Sequence, residues 1–197
     1  MNRKPVHPKP AMPPAEAEAL RSAYAAAEVV LEYGAGGSTL MGAEGAGKVL
    51  FSVESDPVWV ARLQDRFAAN PPAARVHLHH VDIGPTQGWG QPADDSHWRN
   101  WASYPFSVWD RSDFRHPDVV LIDGRFRVAC FMAVLASIDR PVTLMFDDYV
   151  NRPAYHFVER LVPPVGTIGR MALFEIEPRP LPRQALRWIT ESIAQPD

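Results

Sequence analysis

The chain has 197 residues, 46% of them apolar and 22% charged, and a net charge of -3 at pH 7. This length suits one domain with a sizeable core, and the balance gives no reason to expect nucleic acid, whose binding needs a clear basic face, although totals hide any local patch. A single cysteine, Cys130, excludes a disulfide framework and a thiolate metal cluster; set in an apolar stretch, it reads as a small core residue.

Met1–Pro13 is proline-rich, lacks the apolar segment of a secretory signal and reads as a flexible arm ahead of one domain over 14–197. No apolar run is long enough to cross a bilayer, so no membrane partner is expected and a cytoplasmic location is the default. Pro14–Ala27, rich in Ala, Glu and Leu, predicts a helix. Val29-Val30-Leu31 leads into a glycine cluster, as expected of a strand buried on both faces. Ser38–Ala46 suits a helix, Val49–Val53 a second strand, and Pro57–Asn70 a helix with proline in its first turn. Val76–Val81 predicts a third strand and Asp118–Ile122 a fourth. A long irregular stretch from Asp82 to about Arg115 separates them. Phe126–Ile138 and Tyr155–Val162 read as helices around a fifth strand, Val142–Phe146.

Strands alternating with helices predict a mostly parallel sheet with helices on both faces and right-handed crossovers. The last two apolar runs, Val165–Ile168 and Met171–Ile176, are joined only by Gly169-Arg170. So short a link permits only an antiparallel hairpin. The expected fold is therefore an α/β, Rossmann-like, seven-stranded sheet closed by a C-terminal hairpin. Arg179–Asp197 predicts an amphipathic helix with Leu186, Ile189 and Ile193 on one face, for docking on the domain or on a second copy.

Ligands of such sheets bind beyond the carboxyl ends of the strands, where the strand order reverses. The polar residues gather there. Glu32-Tyr33-Gly34-Ala35-Gly36-Gly37-Ser38 follows the first strand, and its glycines let the backbone turn sharply and approach a ligand closely. Thr39 stands where a dinucleotide fingerprint has its third glycine, and no Gly-Lys-Ser/Thr of a phosphate loop follows. Glu54, eighteen residues beyond Gly36, ends the second strand, where a carboxylate suits two ribose hydroxyls. Glu32 suits an ammonium. Together they fit a ligand with a ribose and an ammonium but no phosphates.

Glu32–Ser38, Glu54, Asp82, Asp123-Gly124 and Asp147-Asp148 resemble the strand-end motifs of class I S-adenosylmethionine-dependent methyltransferases, from about Val29 to Glu177. The closing hairpin is characteristic of that fold. The resemblance implies a methyltransferase whose cofactor, S-adenosylmethionine, lies on Glu32, Gly34, Ala35, Gly36 and Ser38. It places Glu54 and Ser55 at the ribose, Asp82 and Ile83 at the adenine, and Asp123 at the fourth strand end.

Methyl transfer from a sulfonium is an in-line displacement, so positioning dominates and an acid–base group at the acceptor supplies the rest. Asp123, Asp147 and Arg125 are the candidates for catalysis. Asp123, Asp147 and Asp148 converge if their strands are neighbours, and a hard cation such as Mg²⁺ prefers such a set. This resembles the catechol type of O-methyltransferase, with Asp148 in place of its Asn and arginines in place of its lysine. The alternative pairs Asp123 with Arg125 or Arg127. Arginine binds an anionic acceptor but cannot act as a base. His156 is a further candidate base.

The aromatic-rich insertion at about 83–115 carries Trp89, Trp98, Trp101, Tyr104, Phe106 and Trp109. Its length predicts either a lid over the acceptor or a cover for a sheet edge or subunit interface. The leading expectation is methyl transfer to a small-molecule acceptor at oxygen. One alternative is a catalytically idle binding or interaction module on the same fold. Another is an NAD-dependent oxidoreductase, against which the missing glycine and the hairpin count. Homo-oligomerisation stays open.

Overall fold

A computed structural model describes residues 9–196; the first eight residues of the expected arm lie outside this range. Helix α1 (Pro14–Ala26) precedes β1 (Val29–Tyr33), α2 (Gly37–Ala43), β2 (Val49–Glu54), α3 (Pro57–Ala69) and β3 (Arg75–His80). After the insertion, which holds the short helix α4 (Ser103–Phe106), come β4 (Val119–Ile122), α5 (Arg127–Ser137) and β5 (Val142–Phe146). Strands β6 (Gly166–Ile168) and β7 (Met171–Ile176) and helix α6 (Ala185–Ile193) end the chain. The predicted helix over Tyr155–Val162 is instead a 3-10 helix, Pro153–Arg160.

The seven strands form one sheet in the order β3-β2-β1-β4-β5-β7-β6. β1 pairs in parallel with both β2 and β4, so the chain winds to one side, returns to the centre and winds to the other. β7 is antiparallel to both β5 and β6, as the short Gly169-Arg170 link requires.

Strand alternation sends side chains to two cores. Val29, Leu31 and Tyr33 of β1, Phe51 and Val53 of β2, and Leu144 and Phe146 of β5 face the larger core, with α5 beneath them. Val30, Leu50, Leu121 and Met145 face the smaller core with Leu20 and Tyr24 of α1 and Met41 of α2. This alternation also turns Glu32 toward α1 and α2. Cys130 is fully buried, as its setting predicts.

α3 begins where Asp56 accepts hydrogen bonds from the N–H groups of Val58 (2.8 Å) and Trp59 (3.2 Å), with Pro57 in the first turn. α6 docks on the larger core through Trp188, Ile189 and Ile193. Leu186 departs from the expected face and is 77% exposed. Among the described residues no helix is long and apolar enough to cross a membrane.

Candidate cofactor and acceptor site

The carboxyl ends of β1, β2, β4 and β5 share one edge of the sheet, and the order reverses between β1 and β4. The reversal point is where an open α/β sheet leaves a crevice. Gly34, at φ +102°, packs directly on the β4 end, where a Cβ would lie 2.7 Å from the Gly124 backbone. Only glycine fits that close approach. Gly36 is open, with Trp59 Nε1 the nearest atom to its Cβ position at 4.0 Å. Ala35 is fixed from both sides: its carbonyl accepts from Trp59 Nε1 at 2.7 Å, and its N–H donates to Glu54 Oε2 at 3.1 Å.

Glu54 is a carboxylate held by backbone amides. Besides Ala35, Ser55 N (2.7 Å) and Asp56 N (2.9 Å) donate to its Oε1. Burial pushes its pKa up to about 7 against these three amides. The insertion closes over it. Ser55 Oγ donates to the carbonyl of Gly90 at 2.8 Å, and a Cβ on Gly90 would lie 2.9 Å from Glu54 Oε1. Trp89 beside it has φ +64° and is 86% exposed.

Glu32 has different partners from the expected ammonium. Ser52 Oγ (2.6 Å), Tyr24 Oη (3.1 Å) and Thr39 Oγ1 all donate to its carboxylate, which is wholly buried. Its pKa is raised by burial, with the hydroxyls working the other way. It therefore fastens β1 to α1, α2 and β2. Ser38 is buried beside the same loop.

Asp82 is exposed and accepts from Gly84 N at 2.9 Å, forming the turn into the insertion. Ile83 is fully buried, and its carbonyl accepts from Trp101 Nε1 at 3.2 Å. Trp101 and Tyr104 pack on Phe126, which sits at φ +52° after the β4 end. The insertion covers the edge strand as well. Ser107 lies 2.8 Å from His79 of β3, and Arg111 lies 3.4 Å from both His77 and His79. The insertion therefore covers both the Glu54 end of the crevice and the β3 edge of the sheet.

Asp123, Asp147 and Asp148 do converge, with carboxylate oxygens within 4.8 Å of one another. Arginines hold them. Asp147, fully buried, takes a two-pronged contact from Arg170, Nε at 3.1 Å and Nη2 at 2.8 Å. Asp148 meets Arg170 at 3.1 Å, Arg127 at 3.3 Å and Arg152 at 3.5 Å. Asp123 meets Arg127 at 3.4 Å. Burial raises the pKa of Asp123, repulsion from Asp147 and Asp148 adds to this, and Arg127 opposes both. Each of the three carboxylates thus already faces a guanidinium, and the set does not fit Mg²⁺.

Arg127 also donates to the carbonyls of Gly124 (2.9 Å), Asp147 (2.8 Å) and Asp123 (3.2 Å), tying the ends of β4 and β5 together. Arg125 is different. It forms no ion pair among the described residues, and its Nε is buried without a hydrogen-bond partner. His156 is stacked on Tyr149 and bonded to its carbonyl at 3.0 Å.

The glycine loop, Glu54, Ser55 and Asp123 are therefore brought together. Glu54 and Asp147 end strands three places apart, about 14 Å across the sheet. Sequence reasoning missed Trp59, Gly90 and Arg170. The donor chemistry for an adenosyl group fits: an amide-held carboxylate beside an open glycine. That carboxylate lies under the Gly90 turn.

No protein-family model matches the chain, and no curated protein does. Among solved structures, a methyltransferase-like protein from Silicibacter pomeroyi is 50% identical, with a TM-score of 0.92 over 96% of this chain and 100% of that one. The O-methyltransferase TomG from Streptomyces achromogenes, in complex with SAM, is 15% identical with a TM-score of 0.55, over 83% and 81% of the two chains. An O-methyltransferase from Bacillus cereus, in complex with SAH, is 14% identical with the same TM-score, over 85% and 84%. The last two share the fold. The first relative, 50% identical over nearly the whole of both chains, shows that this chain belongs to the methyltransferase-like family, on the fold whose strand order and closing hairpin are described above.

Proposed function

We propose that the protein transfers a methyl group from S-adenosylmethionine to an oxygen of a small-molecule acceptor. The observation that carries this reading is the Glu54 corner. A carboxylate fixed by three backbone amides stands beside the open Gly36, at the crevice where the strand order reverses. The cofactor would supply the electrophilic methyl group. Glu54 accepts hydrogen bonds from the ribose hydroxyls, with Ser55 beside it. Gly34–Ser38 bring backbone close to the methionine portion, and Asp82 and Ile83 border the adenine. Asp123 stands at the acceptor end, partly exposed, where a carboxylate accepts the hydroxyl proton. Arg125, with no carboxylate of its own, suits an anionic acceptor, and Asp147 positions Asp123.

One observation favours a second reading, a binding module without turnover. The Gly90 turn is bonded to Ser55 and seated on Glu54, so a ribose reaches the carboxylate only when that turn lifts.

Calorimetric titration of the chain with S-adenosylhomocysteine tests the first claim. Binding by the wild type and its loss in Glu54→Ala are expected. No binding by the wild type would sink the cofactor reading. Binding without turnover on a panel of hydroxylated acceptors would favour the module.

A further inference from the structure

The acidic triad is the feature that the family resemblance reads as a metal site, and its chemistry points elsewhere. Three carboxylates, Asp123, Asp147 and Asp148, are matched by three guanidinium groups, Arg127, Arg152 and Arg170, all within 3.5 Å of a partner oxygen. The set is charge-balanced without a metal. Mg²⁺ demands near-octahedral oxygen ligands and gives up its waters reluctantly. To enter, it would have to break the two-pronged contact between Arg170 and Asp147, a strong geometry for an ion pair. It would also add two positive charges to a neutral cluster.

Arg170 is placed for this role by its own surroundings. It sits in the β6–β7 turn, and its backbone N–H donates to Glu16 Oε1 of α1 at 2.9 Å. Gly169 before it has φ +56°, with a Cβ position that would overlap the Glu16 carboxylate. The turn is thereby pinned to α1, and the guanidinium is aimed at the end of β5. Its Nη2 also lies 3.4 Å from the Ala11 carbonyl, bringing the start of the described chain to the same place. Arg127, 4% exposed in its side chain, closes the other side.

We propose that Arg170, with Arg127 and Arg152, is the resident cation of this site. The guanidiniums hold Asp147 and Asp148 in place of a divalent metal, and Asp123, which pairs with Arg127 alone, is left to face the acceptor. Arg170 is a positioning residue in this account. Only the acceptor-facing role of Asp123 rests on the proposed methyl transfer; the replacement of the metal does not.

Titration with Mn²⁺ in the absence of any adenosyl ligand tests it, read by calorimetry and by the spin-resonance signal of free Mn²⁺. The wild type is expected to show no saturable binding. Arg170→Gln removes one positive charge and frees both Asp147 oxygens, so Mn²⁺ binding tighter by roughly tenfold or more is expected. Arg152→Ala, at a side chain 45% exposed, should give a smaller gain and guards against misfolding of the first variant. Arg170→Lys keeps the charge and should stay at the wild-type level. Adding Asp148→Asn to Arg170→Gln should abolish the gain. Saturable Mn²⁺ binding by the wild type that Asp148→Asn removes would overturn the proposal. So would variants, folded by near-ultraviolet circular dichroism, that bind Mn²⁺ no better than wild type. Either failure leaves the S-adenosylhomocysteine result untouched, and a failed adenosyl titration leaves this one standing.

Discussion

Two corners of one sheet edge hold buried acids by opposite means. At the end of β2, Glu54 is held by the N–H groups of Ala35, Ser55 and Asp56. At the end of β5, Asp147 and Asp148 are held by the side chains of Arg127, Arg152 and Arg170. Amides orient a carboxylate but carry no net charge, so burial still drives the Glu54 pKa up to about 7. Guanidiniums orient it and neutralise it as well. The first arrangement suits a ligand with hydroxyl groups to donate, while the second fixes a framework around which a ligand is arranged.

The sharpest way to break this contrast is Arg127→Ala. It removes a buried cation from Asp123 and Asp148 and three donors from strand-end carbonyls, and should cost about 3–5 kcal/mol in urea unfolding. A loss below about 1 kcal/mol would mean that the triad is held by something else.

Glu54 predicts the next largest effect, and its sign follows from the raised pKa. The folded state binds the Glu54 proton more tightly than the unfolded chain. The stability this gives is fully present below about pH 4.5 and is lost as pH rises through about 7. Relative to Glu54→Gln, the wild type should therefore lose about 2–3 kcal/mol between pH 4.5 and 8 in matched unfolding titrations. A flat difference, or one of opposite slope, would show that the amides outweigh burial.

A smaller effect is expected at Gly90→Ala. A positive φ of 70° and a Cβ 2.6 Å from Ser55 Oγ should cost about 1–2 kcal/mol and loosen the turn. If that turn covers the ribose corner, the same variant should bind S-adenosylhomocysteine more tightly than wild type. Unchanged or weaker binding would show that the turn does not compete with the ligand. Arg187→Ala, in an exposed pair with Glu191 at 3.6 Å, should change stability by at most about 0.5 kcal/mol and serves as the control.

The amide-held corner was legible in the sequence because it is local. A glycine cluster after one apolar run, and an acid ending the next eighteen residues beyond Gly36, announce a strand-end loop and a carboxylate beside it. The antiparallel ending was legible for the same reason, since Gly169-Arg170 leaves no room for a crossover. The arginine-held corner was legible only by half. Asp123, Asp147 and Asp148 stand at strand ends, but Arg170 reaches Asp147 from the β6–β7 turn, which the antiparallel pairing of β7 with β5 lays beside it, and is oriented by Glu16, 154 residues away. No periodicity or spacing encodes such a partner. The partners of Glu32 within the fold were not legible for a related reason. Its position at the strand end suggested a ligand, yet strand alternation turns it toward Tyr24, Thr39 and Ser52. Leu186 fell on the predicted face of α6 but outside the arc that α5 covers.

The position of Arg170 also has a consequence in time. A chain is made from its N-terminus, and segments begin to organise as they emerge. The acid Asp147 leaves the ribosome 23 residues before the cation that neutralises it, and 131 residues after Glu16, the group that anchors that cation. A nascent chain halted before Arg170 therefore holds all five parallel strands and, with Arg127 and Arg152 already made, an acidic cluster that lacks one of its three cations. Making the last hairpin and completing the arginine-held corner are one event in the birth of the protein.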